Sequence, residues 1–216
     1  MKLLKFSGLF LASLLSLFLI LAAHYYIRGF WKAAQDDHRV DTRRDSGEEK
    51  SRIMAKAAEM RKFLQGKKYN QEICFLVDMK LASGTSRFFV YDLPGDHVLF
   101  SGLVAHGSCG RNFSLSPSFS NMVGSRCTSL GKYFIGKSYQ GTFGKAYKLY
   151  GLDSSNDNAF KRNIVLHAFS YVPEWETDPY PICNSSGCPM VAEGFLKKLG
   201  PILEWSKTPV ILWIFN

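Results

Sequence analysis

The sequence predicts a mainly β domain behind an N-terminal membrane-directed helix, and three observations point there. Aromatic residues make up 14% of the 216-residue chain, with 17 Phe and 10 Tyr, a composition that suits pleated strands better than helix bundles. From residue 73 onward, short apolar runs recur between turn residues, the pattern of many short strands. At the other end, Lys2 and Lys5 precede an uncharged run over residues 6–23 dominated by Leu, Phe and Ala, which is the pattern of an export signal.

That run is long for a cleavable signal. The aromatics Tyr25, Tyr26, Phe30 and Trp31 follow it and suit a membrane interface. About 18 residues is near the lower limit for a spanning helix. An uncleaved anchor is therefore favoured, with cleavage after Ala23 as the alternative; Leu21 is a mediocre residue for such a site. Residues 1–34 form the signal or anchor. Residues 35–70 form a polar stalk and an amphipathic helix, in which Ser46 and Glu49 make a capping box. Ile53, Ala57, Met60 and Leu64 follow at helical spacing, and Gly66 stops the helix. This narrow apolar face predicts packing on the domain edge.

Residues 71–216 form the domain itself. Strands are predicted at 73–77, 87–91, 98–100, 133–135, 146–149, 164–167 and 210–214, with a tight turn at Leu93-Pro94-Gly95-Asp96. Short helices are predicted near 158–162 and over 190–199, the latter ended by Gly200 and Pro201. There is no internal repeat.

Net charge is +9, which suits a polyanion without choosing one. Export sets nucleic acid aside and leaves an anionic membrane or another polyanion. Five cysteines leave at least one unpaired within the chain. Cys74 sits in an apolar strand and reads as a small buried hydrophobe. Cys109 and Cys127 lie in Gly- and Ser-rich loops and are candidates to pair with each other. Cys188, in Ser185-Ser186-Gly187-Cys188-Pro189, is read as a loop cysteine running into a helix, where the helix N-terminus would favour the thiolate. Free N–H groups there would cradle an oxyanion. Of the histidines, His106 and His167 both end strands, and spacing alone does not choose between them as the base. A zinc site from His106, Cys109, Cys183 and Cys188 lacks a second tight ligand pair, so no metal is predicted.

The order of these blocks adds what spacing does not. Residues 164–168, Ile-Val-Leu-His-Ala, followed by Ser185-Ser186-Gly187-Cys188, resemble the signature of YkuD-type L,D-transpeptidases. The closer likeness is to the murein L,D-transpeptidase catalytic domain branch, through residues 87–93, 104–107, 119–121, 129–131, 139–141, 149–152 and 156–159. The resemblance implies a β-sandwich-like catalytic domain. It implies Cys188 as nucleophile on a peptidoglycan stem peptide, His167 as base and the carbonyl of Ala168 orienting it. Ser186, Gly187 and Cys188 would supply oxyanion N–H groups. Ser185, Asn184, His106 and Asn121 would bind substrate or organise loops. No cofactor is implied, and the chain is expected to act as an exported, membrane-tethered monomer on the periplasmic side.

The sequence departs from the branch at Cys183 and Asn184, where Gly and Arg are usual, and from the wider family at Ser186, where His is usual although the branch tolerates other residues. An L,D-carboxypeptidase using the same residues stays open, as does a non-catalytic wall-binding protein on the same fold.

Overall fold

The structure, a computed structural model, describes residues 46–216. Its compact unit spans Lys50–Asn216; of the preceding unit, Met1–Glu49, only residues 46–49 are described. The apolar run at 6–23 and the stalk up to residue 45 lie outside the described residues, as does the side chain of Ser46 on which the capping box turns. No helix among the described residues is long and apolar enough to cross a membrane.

The elements in chain order are α1 (Ser46–Leu64), β1 (Ile73–Asp78), β2 (Phe88–Asp92), β3 (His97–Gly102), β4 (Val104–Ala105), β5 (Gly131–Gly141), β6 (Gly144–Gly151), β7 (Val165–Ala168), β8 (Met190–Val191), α2 (Glu193–Trp205) and β9 (Ile211–Phe215). All nine strands join one mixed sheet in the order β3-β2-β1-β9-β5-β6-β7-β8-β4. Only Leu103 separates β3 from β4, so one chain segment supplies both edges of the sheet. The sheet therefore curls into a barrel-like form. The mainly β expectation holds, as one barrel-like sheet with few helices.

Strand alternation fills both faces. Phe75 and Val77, Phe88 and Val90, Tyr133 and Ile135, and Leu212 and Ile214 point into the inner core. Their neighbours Cys74, Leu76, Phe89, Tyr91, Ile211 and Trp213 point outward and would be exposed without cover. Helix α1 covers them with the four residues that the helical spacing picks out, Ile53, Ala57, Met60 and Leu64, each at most 2% exposed. Burying the three larger side chains contributes roughly 5–8 kcal/mol. Burial on both faces explains the continuous apolar runs of β1 and β9. Two basic residues of α1 also tie down: Arg52 donates to the buried carboxylate of Asp78 (2.9 and 2.7 Å), and Arg61 to Leu93 O and to Asp96.

Two helix expectations are corrected. Residues 158–162 make hydrogen-bonded turns rather than a helix, closed by Arg162 N–H to Asn158 O (2.8 Å) and Asn163 N–H to Phe160 O (3.0 Å). Asn163 then takes a positive φ of 55°, which ends any helical continuation. Residues 190 and 191 form β8 between β7 and β4, and α2 begins only at Glu193. It runs through Gly200 and Pro201 to Trp205, because Phe195, Leu196, Leu199 and Gly200 bury one face. Proline removes one intrahelical bond, to the carbonyl of Lys197.

Candidate active site

Strand β7 organises the site. It pairs antiparallel with β6, setting Ala146 opposite His167, and parallel with β8, setting His167 opposite Met190. Leu166 points into the core, so Val165 and His167 share the opposite face of the strand, about 7 Å apart along it. Cys188 lies two residues before Met190 and reaches the start of β7. Its sulfur accepts from Val165 N–H (3.4 Å), and its thiol faces Asn163 O at 3.8 Å.

His167 is 4% exposed. Its Nδ1 lies 2.9 Å from the Ala168 carbonyl, which accepts only, so Nδ1 carries the proton and Nε2 keeps a free lone pair. Burial pushes the imidazole below its usual 6.5, against the opposing pull of the Ala168 carbonyl. The ring is therefore neutral at pH 7, the form that takes up a proton. Phe143, at the tip of the β5–β6 hairpin, stacks on it with centroids 5.2 Å apart.

The thiolate expectation for Cys188 is corrected. The residue precedes a strand, not a helix, so no helix terminus acts on it. Burial raises the thiol above its usual value, while the Val165 N–H and the positive charge of Arg162 pull it down. The resting sulfur is a protonated thiol.

The loop that carries Cys188 is held from below. Ser185 N–H donates to His106 O (2.8 Å), Ser108 N–H donates to Ser185 O (2.9 Å), and Gly187 N–H donates to Ser185 Oγ (3.0 Å). The Gly187 N–H expected to serve an oxyanion is thus engaged within the loop, because φ of +110° turns it inward. Among the described residues no acceptor takes the N–H of Ser186 or Cys188. Ser186 itself is exposed and Asn184 is half-buried.

His106 and Asn184 converge on Ser114. Arg87, fully buried, donates to Val104 O, Leu81 O and His106 Nδ1 (2.9 Å). Arginine only donates, so His106 carries its proton on Nε2 and gives it to Ser114 O (3.1 Å). Burial and then the Arg87 charge push His106 down to about 4. Asn184 grips the same residue, accepting from Ser114 N–H (2.6 Å) and donating to Ser114 O (3.0 Å). Asn121 likewise organises loops, donating to Ser154 O and Asp157 Oδ1. Cys109 and Cys127 form a disulfide, while Cys74, Cys183 and Cys188 are free. Cys74 is buried, and desolvation lifts its thiol to about 12.

Sequence reasoning missed Arg162. Its guanidinium donates to Ser120 O (2.9 Å), Ser129 Oγ, Ser125 Oγ (3.3 Å) and Cys127 O (2.6 Å). It braces the loop that bears the disulfide and lies beside Gly187. The available signal was an arginine immediately before a strand that ends in a candidate base. Arg87 was missed as a functional group because it opens an apolar strand run and reads there as its edge.

The barrel-like β domain thus carries a half-buried thiol at the start of β7 and a neutral, carbonyl-oriented imidazole further along the same strand. The L,D-transpeptidase catalytic domain family model matches residues 46–213, and the chain belongs to that family. No curated protein matches. Similar solved structures include an Enterococcus faecium L,D-transpeptidase, 11% identical over 67% of this chain and 50% of that one, with a TM-score of 0.41. The helical cell shape determining protein of Campylobacter jejuni is 12% identical over 74% and 55%, at 0.41. A Stackebrandtia nassauensis L,D-transpeptidase is 14% identical over 76% and 64%, at 0.39. The chain thus spans less than two thirds of the length of each, and family membership rests on the match over residues 46–213.

Proposed function

We propose that the chain is a peptidoglycan L,D-transpeptidase that forms a thioester on Cys188 and passes the acyl group to an amine. The observation that carries this is the order along β7: the thiol against Val165 N–H, then His167 with Nδ1 fixed on Ala168 O and Nε2 open. His167 takes the thiol proton as sulfur attacks the stem-peptide carbonyl. The open N–H groups of Ser186 and Cys188 receive the developing oxyanion, and the terminal D-amino acid leaves with the proton. A raised thiol and a depressed imidazole mean that the proton moves during attack rather than resting on His167.

The apolar run at 6–23 behind Lys2 and Lys5 supports export with a membrane tether, which puts the domain on the wall side. Incubation with tetrapeptide muropeptides tests the reaction. Crosslinked dimers that vanish in Cys188→Ala and persist in Cys183→Ala are expected. Tripeptide monomers alone would mean a carboxypeptidase, and no turnover by the native chain would leave the wall-binding reading.

A further inference from the structure

The loop that follows β7 exposes three aromatic rings, Tyr171, Trp175 and Tyr180, at 75%, 76% and 59%. Its backbone is nevertheless fixed. Val172 and Ile182 sink into the core at either end. Between them the N–H groups of Thr177 and Asp178 donate to Gly84 O (2.8 and 3.1 Å), and Tyr180 N–H donates to Thr177 O (2.7 Å). The loop lies so close on residue 84 that a Cβ there would stand 2.1 Å from Tyr180 O. Glu176 accepts from Ser86 N–H (2.9 Å), and Glu174 accepts from Gly194 N–H at the start of α2 (2.6 Å). Large rings left in water on a fixed backbone mark a contact surface, and a ligand that meets them has little loop ordering to bring about.

Charge decides what kind of ligand fits. From Asn163 to Leu196 the chain has no Lys or Arg but four carboxylates, Glu174, Glu176, Asp178 and Glu193, in a protein of net charge +9. Such a segment repels anionic lipid, nucleic acid and acidic polymers. Rings and carboxylates together suit a neutral sugar: its C–H faces lie on the rings, and its hydroxyl and amide groups donate to the carboxylates. Glu174, which spends Oε1 on Gly194, and the exposed Asp178 flank Trp175 in the chain. The rings also lead back to the site. Tyr171 touches Phe169 (centroids 5.4 Å), Phe169 touches Phe143 (5.6 Å), and Phe143 stacks on His167 (5.2 Å). An unbroken row of rings runs from the imidazole to the edge of the exposed loop.

Resting on the transpeptidase reading above, we infer that the loop 171–180 is a sugar-binding platform, on which a neutral polysaccharide strand lies across Tyr171, Trp175 and Tyr180 while the peptide it carries reaches Cys188. Stacking and hydroxyl hydrogen bonds to Glu174 and Asp178 hold the strand, with no bond made or broken. The platform contains neither the thiol nor the imidazole. It acts by raising the local concentration of strand-borne peptide at the thiol. A peptide free of sugar lacks this contact and depends on the thiol site alone.

The test uses the full chain, a neutral hexasaccharide of N-acetylglucosamine as probe, and titration calorimetry. Saturable binding is expected in the native chain and in Cys188→Ala. Trp175→Ala should weaken it about tenfold while leaving the urea midpoint in place, because the ring is exposed. Trp205→Ala, also exposed but at the far end of α2, should leave binding unchanged. Intact mass then follows acylation by a tetrapeptide borne on a glycan strand and by the same tetrapeptide free of sugar. Trp175→Ala should raise the half-saturating concentration of the first donor about tenfold and leave that of the second. No acylation of the native chain by either donor would sink the proposed function, while the hexasaccharide titration still reads the platform by itself. Absence of saturable binding, equal losses in Trp175→Ala and Trp205→Ala, or a half-saturating concentration that rises alike for both donors would overturn the inference. So would a sulfated hexasaccharide that binds as tightly through Trp175, since the carboxylates around it should repel one.

Discussion

Gly187 is where a single methyl group should separate the account from its alternatives. Its φ of +110° lies where L side chains rarely go, and adopting it costs about 1–3 kcal/mol. A Cβ there would sit 2.7 Å from Cys127 O, 3.2 Å from Arg162 Nη2 and 3.2 Å from Ile164 Cδ1. The first of these is backbone, tied to Arg162 at 2.6 Å and to Cys109 through the disulfide, so it yields little. With about 1 kcal/mol more for overlap, Gly187→Ala should destabilise the chain by about 2–4 kcal/mol in urea unfolding. The strain is relieved by moving the nucleophile loop, and a displacement near 1 Å should cut acyl transfer about a hundredfold. Gly110→Ala is the control: φ is +77°, but nothing lies within 4 Å of its Cβ. It should lose about 1 kcal/mol and no activity. Matching behaviour of the two variants in stability and in acyl transfer would refute the packing argument.

Other outcomes are expected from the same contacts. His106 titrates near 6.5 when unfolded and near 4 when folded, so the unfolded chain binds the extra proton in between. Stability should be complete above about pH 6.5 and fall by about 3 kcal/mol as pH drops through about 4. His106→Gln should remove close to one proton from the slope measured by denaturant titration, and an unchanged slope would count against the buried neutral imidazole. Arg162→Met leaves the carbonyls of Ser120 and Cys127 without their donor. It should cost about 2–4 kcal/mol, and it should shift the pH profile of Cys188 alkylation upward, because a positive charge that favours the thiolate is lost; a profile that moves down would contradict this. Replacing Cys109 and Cys127 by Ser opens a crosslink across 18 residues and should lower stability by about 3 kcal/mol, read as a falling urea midpoint.

Much of the frame is legible in the chain because it rests on local pattern. Ile53, Ala57, Met60 and Leu64 repeat at helical spacing, and the structure buries those four. The longer strands announce themselves as apolar runs. Strands β4 and β8 do not, since two residues carry no period, yet they extend the sheet past β7 and anchor the loop that carries the thiol. Gly200-Pro201 reads locally as a stop, but tertiary burial of Phe195 and Leu199 carries α2 past it. At the site, Cys188 and His167 stand out by residue type and by family likeness. What surrounds them does not, because Arg162 meets its partners across 33 to 42 positions and Arg87 meets His106 across 19. Such contacts exist only once the sheet has closed. The same distance in sequence hides the difference between a cysteine that starts a helix and one that precedes a strand.

The central claim is that Cys188 is the acylated group. Intact-mass analysis after exposure to a carbapenem tests it most directly. One stoichiometric covalent adduct is predicted, mapped by peptide digestion to Cys188, absent in Cys188→Ala and retained in Cys183→Ala. An unmodified native chain, or an adduct carried by Cys183, would contradict the account.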